Sequence, residues 1–227
     1  MIILLLFFRK NRKSDEALTS KGLYPIVGSN NNSISEKIKI LKLITNNNKF
    51  KYIGAENCLL KDPDEQLCIY HLLAPKKVVG KNRILLGGKT DGSYVFLDDF
   101  DKIKIAYSFG ISREIQCDNE LAKKGIDVYM YDHTINGLPY NNPKFHWSKI
   151  GLGGINSTGP NLKTLEELIK ENKHENEDNM ILKMDVENAE WEALRDVPEH
   201  ILKKFKYIAI EYLFIILKKK QNYIILF

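Results

Sequence analysis

Three acidic residues stand directly behind short apolar runs. Asp132 follows Val128-Tyr129-Met130-Tyr131, Asp185 follows Met180-Ile181-Leu182-Lys183-Met184, and Glu211 follows Tyr207-Ile208-Ala209-Ile210. Apolar runs of this length read as buried strands. Each carboxylate is therefore expected at the carboxyl end of a strand, where open α/β sheets bind their ligands, and all three are expected near one crevice. Asp132 lies 22 residues beyond Gly110 (132 − 110), close to the spacing of about 20 expected of an acid that holds ribose hydroxyls. Glu187 lies two residues beyond Asp185, in the loop expected over that crevice. A carboxylate at either position could bind an amino group, orient a hydroxyl or remove its proton.

These acids need a scaffold, and the stretch from Lys104 to Asp132 supplies its centre. A strand over 103–107 leads into a turn of small residues, Ser108-Phe109-Gly110-Ile111-Ser112. A helix is expected over 113–124 with Gly125 ending it, followed by a second strand and Asp132. This order is the first βαβ unit of a nucleotide-binding sheet. The turn holds one glycine where a dinucleotide fingerprint has three, so it is poorly suited to wrapping a pyrophosphate. A nucleoside ligand without phosphates, such as S-adenosylmethionine, tolerates a looser turn. Ser108 and Gly110 are expected to let the backbone approach such a cofactor, with Asp132 and Asp185 as further contacts.

Around this unit the pattern continues as α/β. Residues 83–97 read as a hairpin about a glycine-rich turn. A third strand is expected over Phe145–Leu152, a helix over Leu162–Glu171, a fourth strand over Met180–Met184, a helix from about Ala189 to Leu194 and a fifth strand over Tyr207–Ile210. Alternating strands and helices argue for a parallel sheet covered on both faces. Asp91 and Gly92 are expected to close over the pocket or to serve the hairpin alone. His133 reads as a base or a polar loop residue, and Trp147 and Trp191 as packing residues. Tyr131 is expected to turn away from Asp132 onto a helix, and Glu190 to offset the dipole of the helix that it opens.

The 227 residues are 44% hydrophobic and 28% charged, with a formal net charge of +5. That length suits one sizeable domain with a lead-in segment, divided as 1–80 and 81–227. The lysines are scattered among acids, so nucleic acid is not implied. The lead-in carries amphipathic patterns over 34–45 and 64–73, with polar loops between. Cys58, Cys68 and Cys117 have no zinc spacing, which favours a reducing, cytoplasmic compartment, although a Cys58–Cys68 bridge stays open. Met1–Phe8 is wholly apolar and precedes a basic cluster. It is too short to span a bilayer, and reads as a ragged terminus or as the tail of a membrane anchor.

Several segments resemble the FkbM-like methyltransferases, class I enzymes that use S-adenosylmethionine. KMDVENAEWEAL (Lys183–Leu194) resembles the family's lysine, apolar, Asp, apolar, Glu-Gly-Ala-Glu signature. TDGSYVFLDD (Thr90–Asp99), YSFGIS (Tyr107–Ser112) and TLEEL (Thr164–Leu168) resemble three further family segments, in the same order. The likeness covers about 83–213. It implies a Rossmann-like methyltransferase sheet with helices on both faces, an S-adenosylmethionine cofactor and methylation of an oxygen on a small-molecule or glycan acceptor, with Asp185 and Glu187 as the candidate catalytic residues near the methyl-transfer site. Asn188 and Ser93 stand where the family has Gly, at sites that could need special backbone angles. The 14 residues after Leu213 (227 − 213) are fewer than a crossover helix and two strands need. The last two strands of the family fold are therefore expected to be missing, leaving a truncated domain and an exposed sheet edge. Two rivals follow: an NAD-type oxidoreductase, and a non-catalytic methyltransferase-like binding protein.

Overall fold

The computed structural model describes residues 3–8, 80–88, 92–187, 189–212, 215–219 and 222–226. The helices expected over 34–45 and 64–73, together with Cys58, Cys68, Asp91 and Asn188, lie outside these residues, as does most of the 1–80 lead-in. The described chain is α/β, built on a parallel sheet with helices on both faces. Strand β1 is Ile3–Phe8. A hairpin follows, formed by β2 (Arg83–Leu86) and β3 (Tyr94–Leu97), with Arg83 opposite Leu97 and Leu86 opposite Tyr94. The central unit is β4 (Ile105–Phe109), α1 (Gln116–Lys123) and β5 (Asp127–Tyr131). Then come β6 (Phe145–Ser148), β7 (Gly151–Leu152), β8 (Leu162–Lys163), α2 (Leu165–Glu171), β9 (Met180–Met184), α3 (Glu190–Arg195), α4 (Glu199–Leu202) and β10 (Phe205–Tyr212).

Six strands form one sheet in the order β1-β10-β9-β4-β5-β6, every pair parallel. Apart from β1 at its edge, the sheet is laid down from β4 outward through β5 and β6, and the chain then returns to the other side of β4 as β9 and β10. The gap between the carboxyl ends of β4 and β9 is therefore the switch point, where the two loops part in opposite directions. All five residues of β4 and of β9 are buried, as a parallel sheet covered on both faces requires. Side-chain alternation divides the core in two. Tyr107, Phe109, Leu182 and Met184 pack with Leu168 of α2 and Leu194 of α3 on one face. Ala106, Val128, Met130 and Ile181 pack with Leu121 of α1 and Phe96 of the hairpin on the other.

Local chemistry sets the boundaries and corrects several expectations. Helix α1 ends as foreseen: Gly125 takes φ +86°, its N–H donates to the Ala122 carbonyl at 2.9 Å, and Ile126 N–H donates to Leu121 at 3.3 Å. These two bonds close the last turn in the glycine-ended pattern. Phe145–Leu152 is not one strand. The chain turns after Ser148, with Ile150 N–H donating to the Ser148 carbonyl at 2.9 Å, and β7 pairs with β8 in a separate two-stranded sheet. Gly151 permits this because a Cβ there would collide with the His133 ring. Helix α2 begins at Leu165, not Leu162. Thr164 caps it, accepting from Glu167 N–H at 3.2 Å while the Glu167 carboxylate accepts from Thr164 N–H at 2.8 Å. This reciprocal pair is a capping box, and it marks where the helix starts.

The start of the chain also differs from expectation. Ile3–Phe8 is a strand that pairs in parallel with Tyr207–Tyr212, so β10 is not left as an open edge. Residues Ile215–Lys219 (β11) and Asn222–Leu226 (β12) form an antiparallel hairpin, which is a sheet of its own and adds no strand to the six-stranded sheet. Among the described residues, no helix is long and apolar enough to cross a membrane.

The turn after β4 crosses the end of β9 at very short range. Asp185 N–H donates to the Phe109 carbonyl at 3.1 Å, and Gly110 has φ +68° with its Cα facing the Asp185 carbonyl. A Cβ on Gly110 would overlap that oxygen. Gly110→Ala should therefore destabilise the fold by roughly 2–4 kcal/mol, combining a strained φ with backbone displacement. Gly137→Ala, where a Cβ meets nothing within 4 Å, should shift stability by no more than about 0.5 kcal/mol. Urea denaturation of both variants tests this; equal midpoints would show that the crossing is not tight.

Candidate functional site

A cavity of about 390 Å³ opens at the switch point, within the range of roughly 300–1,000 Å³ typical of small-molecule sites. Its wall combines the turn after β4, the loop after β5 and the loop after β9. Gly110, Asp132, Asp185 and Glu187 all line it, as expected from the sequence. Gly92 lines it too, packed so closely on Glu114 that a Cβ would come within 2.8 Å of the Glu114 carbonyl oxygen.

Two expected members stand elsewhere. Ser108 is not in the turn but inside β4, fully buried, and its hydroxyl lies behind the wall at 3.4 Å from Lys183 Nζ. The strand runs on through Phe109, because pairing with β9 continues to Phe109–Met184. Glu211 does not line the cavity; it is buried within β10, which continues to Tyr212.

Asp132 is the best-fixed carboxylate of the site. It is 6% exposed. One oxygen accepts from Thr134 N–H at 2.8 Å and from Thr134 Oγ1 at 2.6 Å; the other accepts from Ser112 N–H at 2.8 Å. Burial alone would raise its pKa, but the Thr134 and Ser112 donors outweigh burial and hold the carboxyl below its usual range. The Ser112 donor comes from a residue at φ +47°, so the turn adopts an uncommon conformation to aim its N–H at Asp132. A carboxylate offers about four acceptor directions. Three are used here, leaving one, with the Thr134 hydroxyl oxygen as a neighbouring acceptor.

Asp185 is half-buried, and its backbone is tied to β4 as described above. Glu187 is exposed and has φ +54°. Among the described residues of this loop, Glu187 carries a left-handed backbone angle. Glu190 plays the structural part expected of it: it is buried in the first turn of α3 and accepts from Val186 N–H at 2.8 Å. His133 is an exposed loop residue on the cavity wall. Tyr131 stacks on Phe109 at 5.1 Å and takes a hydrogen bond from Asn172 at the end of α2. Trp191 belongs to the core and Trp147 packs against it.

Lys183 is the residue that the reading of the sequence passed over, except as the first letter of a motif. It lines the cavity yet is only 2% exposed. Its ammonium lies 4.9 Å from the centroid of the Tyr94 ring, within cation–π range. Burial first, then the Asp185 and Glu211 carboxylates, push the Tyr94 phenol far above its ordinary range, so the ring stays neutral beneath the lysine. The available signal was a lone charge in MILKM, an otherwise apolar strand expected to be buried on both faces.

Fold and cavity together define an α/β domain with a ligand-sized crevice at the topological switch point. Comparison of the chain with protein-family profiles, with curated proteins and with solved structures finds no match.

The hydrogen bonds of Asp132 carry a pH signature. With its folded pKa depressed, its stabilising effect is complete above the ordinary carboxylate pKa of about 4 and is lost as pH falls through the folded value. Asp132→Asn should cost about 1–3 kcal/mol at pH 7, and the gap to the wild type should narrow below about pH 4. Urea midpoints at pH 7 and pH 3 would decide it; a gap of constant size would mean that the carboxylate charge is not what those donors stabilise.

Proposed function

We propose that the chain is an S-adenosylmethionine-dependent methyltransferase acting on an oxygen nucleophile. The observation that carries this reading is the charge of the cavity wall. Four carboxylates, Glu114, Asp132, Asp185 and Glu187, face one lysine, Lys183. Such a wall suits a ligand with excess positive charge and repels a pyrophosphate. S-adenosylmethionine carries a sulfonium and an ammonium against a single carboxylate. The resemblance of 83–213 to FkbM-like enzymes points the same way, as an analogy of sequence and not of measured activity.

In this reading the remaining acceptor direction of Asp132 and the Thr134 hydroxyl oxygen receive the two ribose hydroxyls. Gly110 keeps the wall thin between the nucleoside and the end of β9. When bound, the cofactor supplies a methyl carbon on a cationic sulfur. Asp185 or Glu187 would accept the proton of an acceptor hydroxyl and so make its oxygen the better nucleophile toward such a carbon. Displacement at carbon depends strongly on alignment, so holding the two reactants in line provides much of the rate. The two carboxylates can serve this role because both stand on the loop after β9, over the same cavity.

Calorimetric titration of the chain should show binding of S-adenosylmethionine and of its demethylated product, with none of NAD. Asp132→Ala should weaken S-adenosylmethionine binding by about 1–3 kcal/mol. Binding of NAD alone would favour the oxidoreductase alternative. A folded chain that binds none of the three would favour the non-catalytic binding protein.

A further inference from the structure

We infer that Lys183 is the carboxylate receptor of the cavity, the group that recognises the amino-acid end of the ligand; the inference rests on the cofactor reading above. Burying an ammonium is costly unless it is paired. Lys183 is 2% exposed, yet among the described residues no carboxylate forms an ion pair with it. Its polar neighbours are the Ser108 hydroxyl at 3.4 Å, a long contact, and the face of Tyr94. Neither carries negative charge. Cys117, buried nearby on α1, adds none, because burial raises its thiol pKa more than the lysine lowers it. An ammonium has three donors, and these neighbours engage one of them weakly.

The cavity provides what the protein does not. Lys183 lines it from β9, on the same wall as Tyr94 and Asp185. Among the described residues it is the one Lys or Arg on that wall. A ligand with two cationic centres and one carboxylate has ample acids for its positive groups and one cation for its negative group. Ser108, expected to touch the cofactor, acts here as a positioning residue: buried in β4, it reaches the ligand only through the lysine it holds.

The test compares two ligands on the intact chain by calorimetry: S-adenosylmethionine and its decarboxylated form, which keeps the sulfonium and the amine. Wild type should bind S-adenosylmethionine at least ~10-fold more tightly, the lower end of what a hydrogen bond to a charged group is worth. In Lys183→Met the preference should fall to within about 2-fold through loss of S-adenosylmethionine affinity, with the decarboxylated ligand bound as tightly as before or more tightly. Equal affinities in wild type, or a preference that survives in Lys183→Met, would overturn the assignment and leave the cofactor reading standing. Binding of neither ligand by wild type would overturn both. The wild-type comparison needs no variant, so a Lys183→Met chain that fails to fold does not remove the test.

Discussion

The passage of Gly110 across the Asp185 carbonyl is the constraint on which the site depends. β4 and β9 are neighbours at the centre of the sheet, and their chains leave it in opposite directions. The loops can part only after crossing at backbone distance, and a residue with a Cβ could not pass. This crossing sends the turn after β4 over the end of β5, where Ser112 N–H reaches Asp132. It also holds Asp185 beside the cavity with its own N–H tied to Phe109. One steric requirement therefore shapes the crevice and seats two of its acids.

Within that frame the charged residues differ in how well the protein satisfies them. Asp132 is almost completely engaged by three short bonds, so it is pre-organised and has little left to reorganise when a ligand arrives. Lys183 is the opposite case: a desolvated cation held by one long hydrogen bond and a ring face. Natural sequences depart from polar satisfaction mainly where function requires it. The cavity wall thus combines an almost completely engaged acid with a sparsely engaged cation.

Much of this was legible in the sequence, for physical reasons that differ by element. The buried strands β4, β5 and β9 announced themselves as short apolar runs, and Gly125 as the end of α1, because burial and left-handed backbone leave direct marks on composition. Asp132 and Asp185 were legible because each follows an apolar run that ends with its strand; Glu211 follows such a run as well, but there the strand continues to Tyr212 and keeps it buried. Ser108 was misplaced because a serine two residues before a glycine reads as turn, whereas the parallel pairing of β4 with β9 carries the strand past it. The break after Ser148 depends on Gly151 accommodating the His133 ring, a contact between residues 18 positions apart (151 − 133). β1 was hidden for the same reason: no local pattern says that Ile3–Phe8 will pair with residues two hundred positions later.

The start of α1 bears on which ligand the crevice can hold. In a dinucleotide site the glycine turn runs straight into a helix, and the first free N–H groups of that helix face the pyrophosphate. Here α1 begins at Gln116, four residues beyond Ser112 (116 − 112). Its first turn contains Asp118, a fully buried carboxylate with no hydrogen-bond partner among the described residues. An acidic side chain therefore already stands in the first turn of the helix, where an incoming phosphate would have to approach. A phosphate at this turn would lack the usual N–H cradle and would meet the wall acids as well. Two like charges about 4 Å apart repel by roughly 4 kcal/mol at the effective dielectric near a protein surface, so even one such encounter would cost about three powers of ten in affinity. A sulfonium in the same position is attracted by each of those acids, and it is this reversal of sign that separates the two ligand classes on one βαβ scaffold.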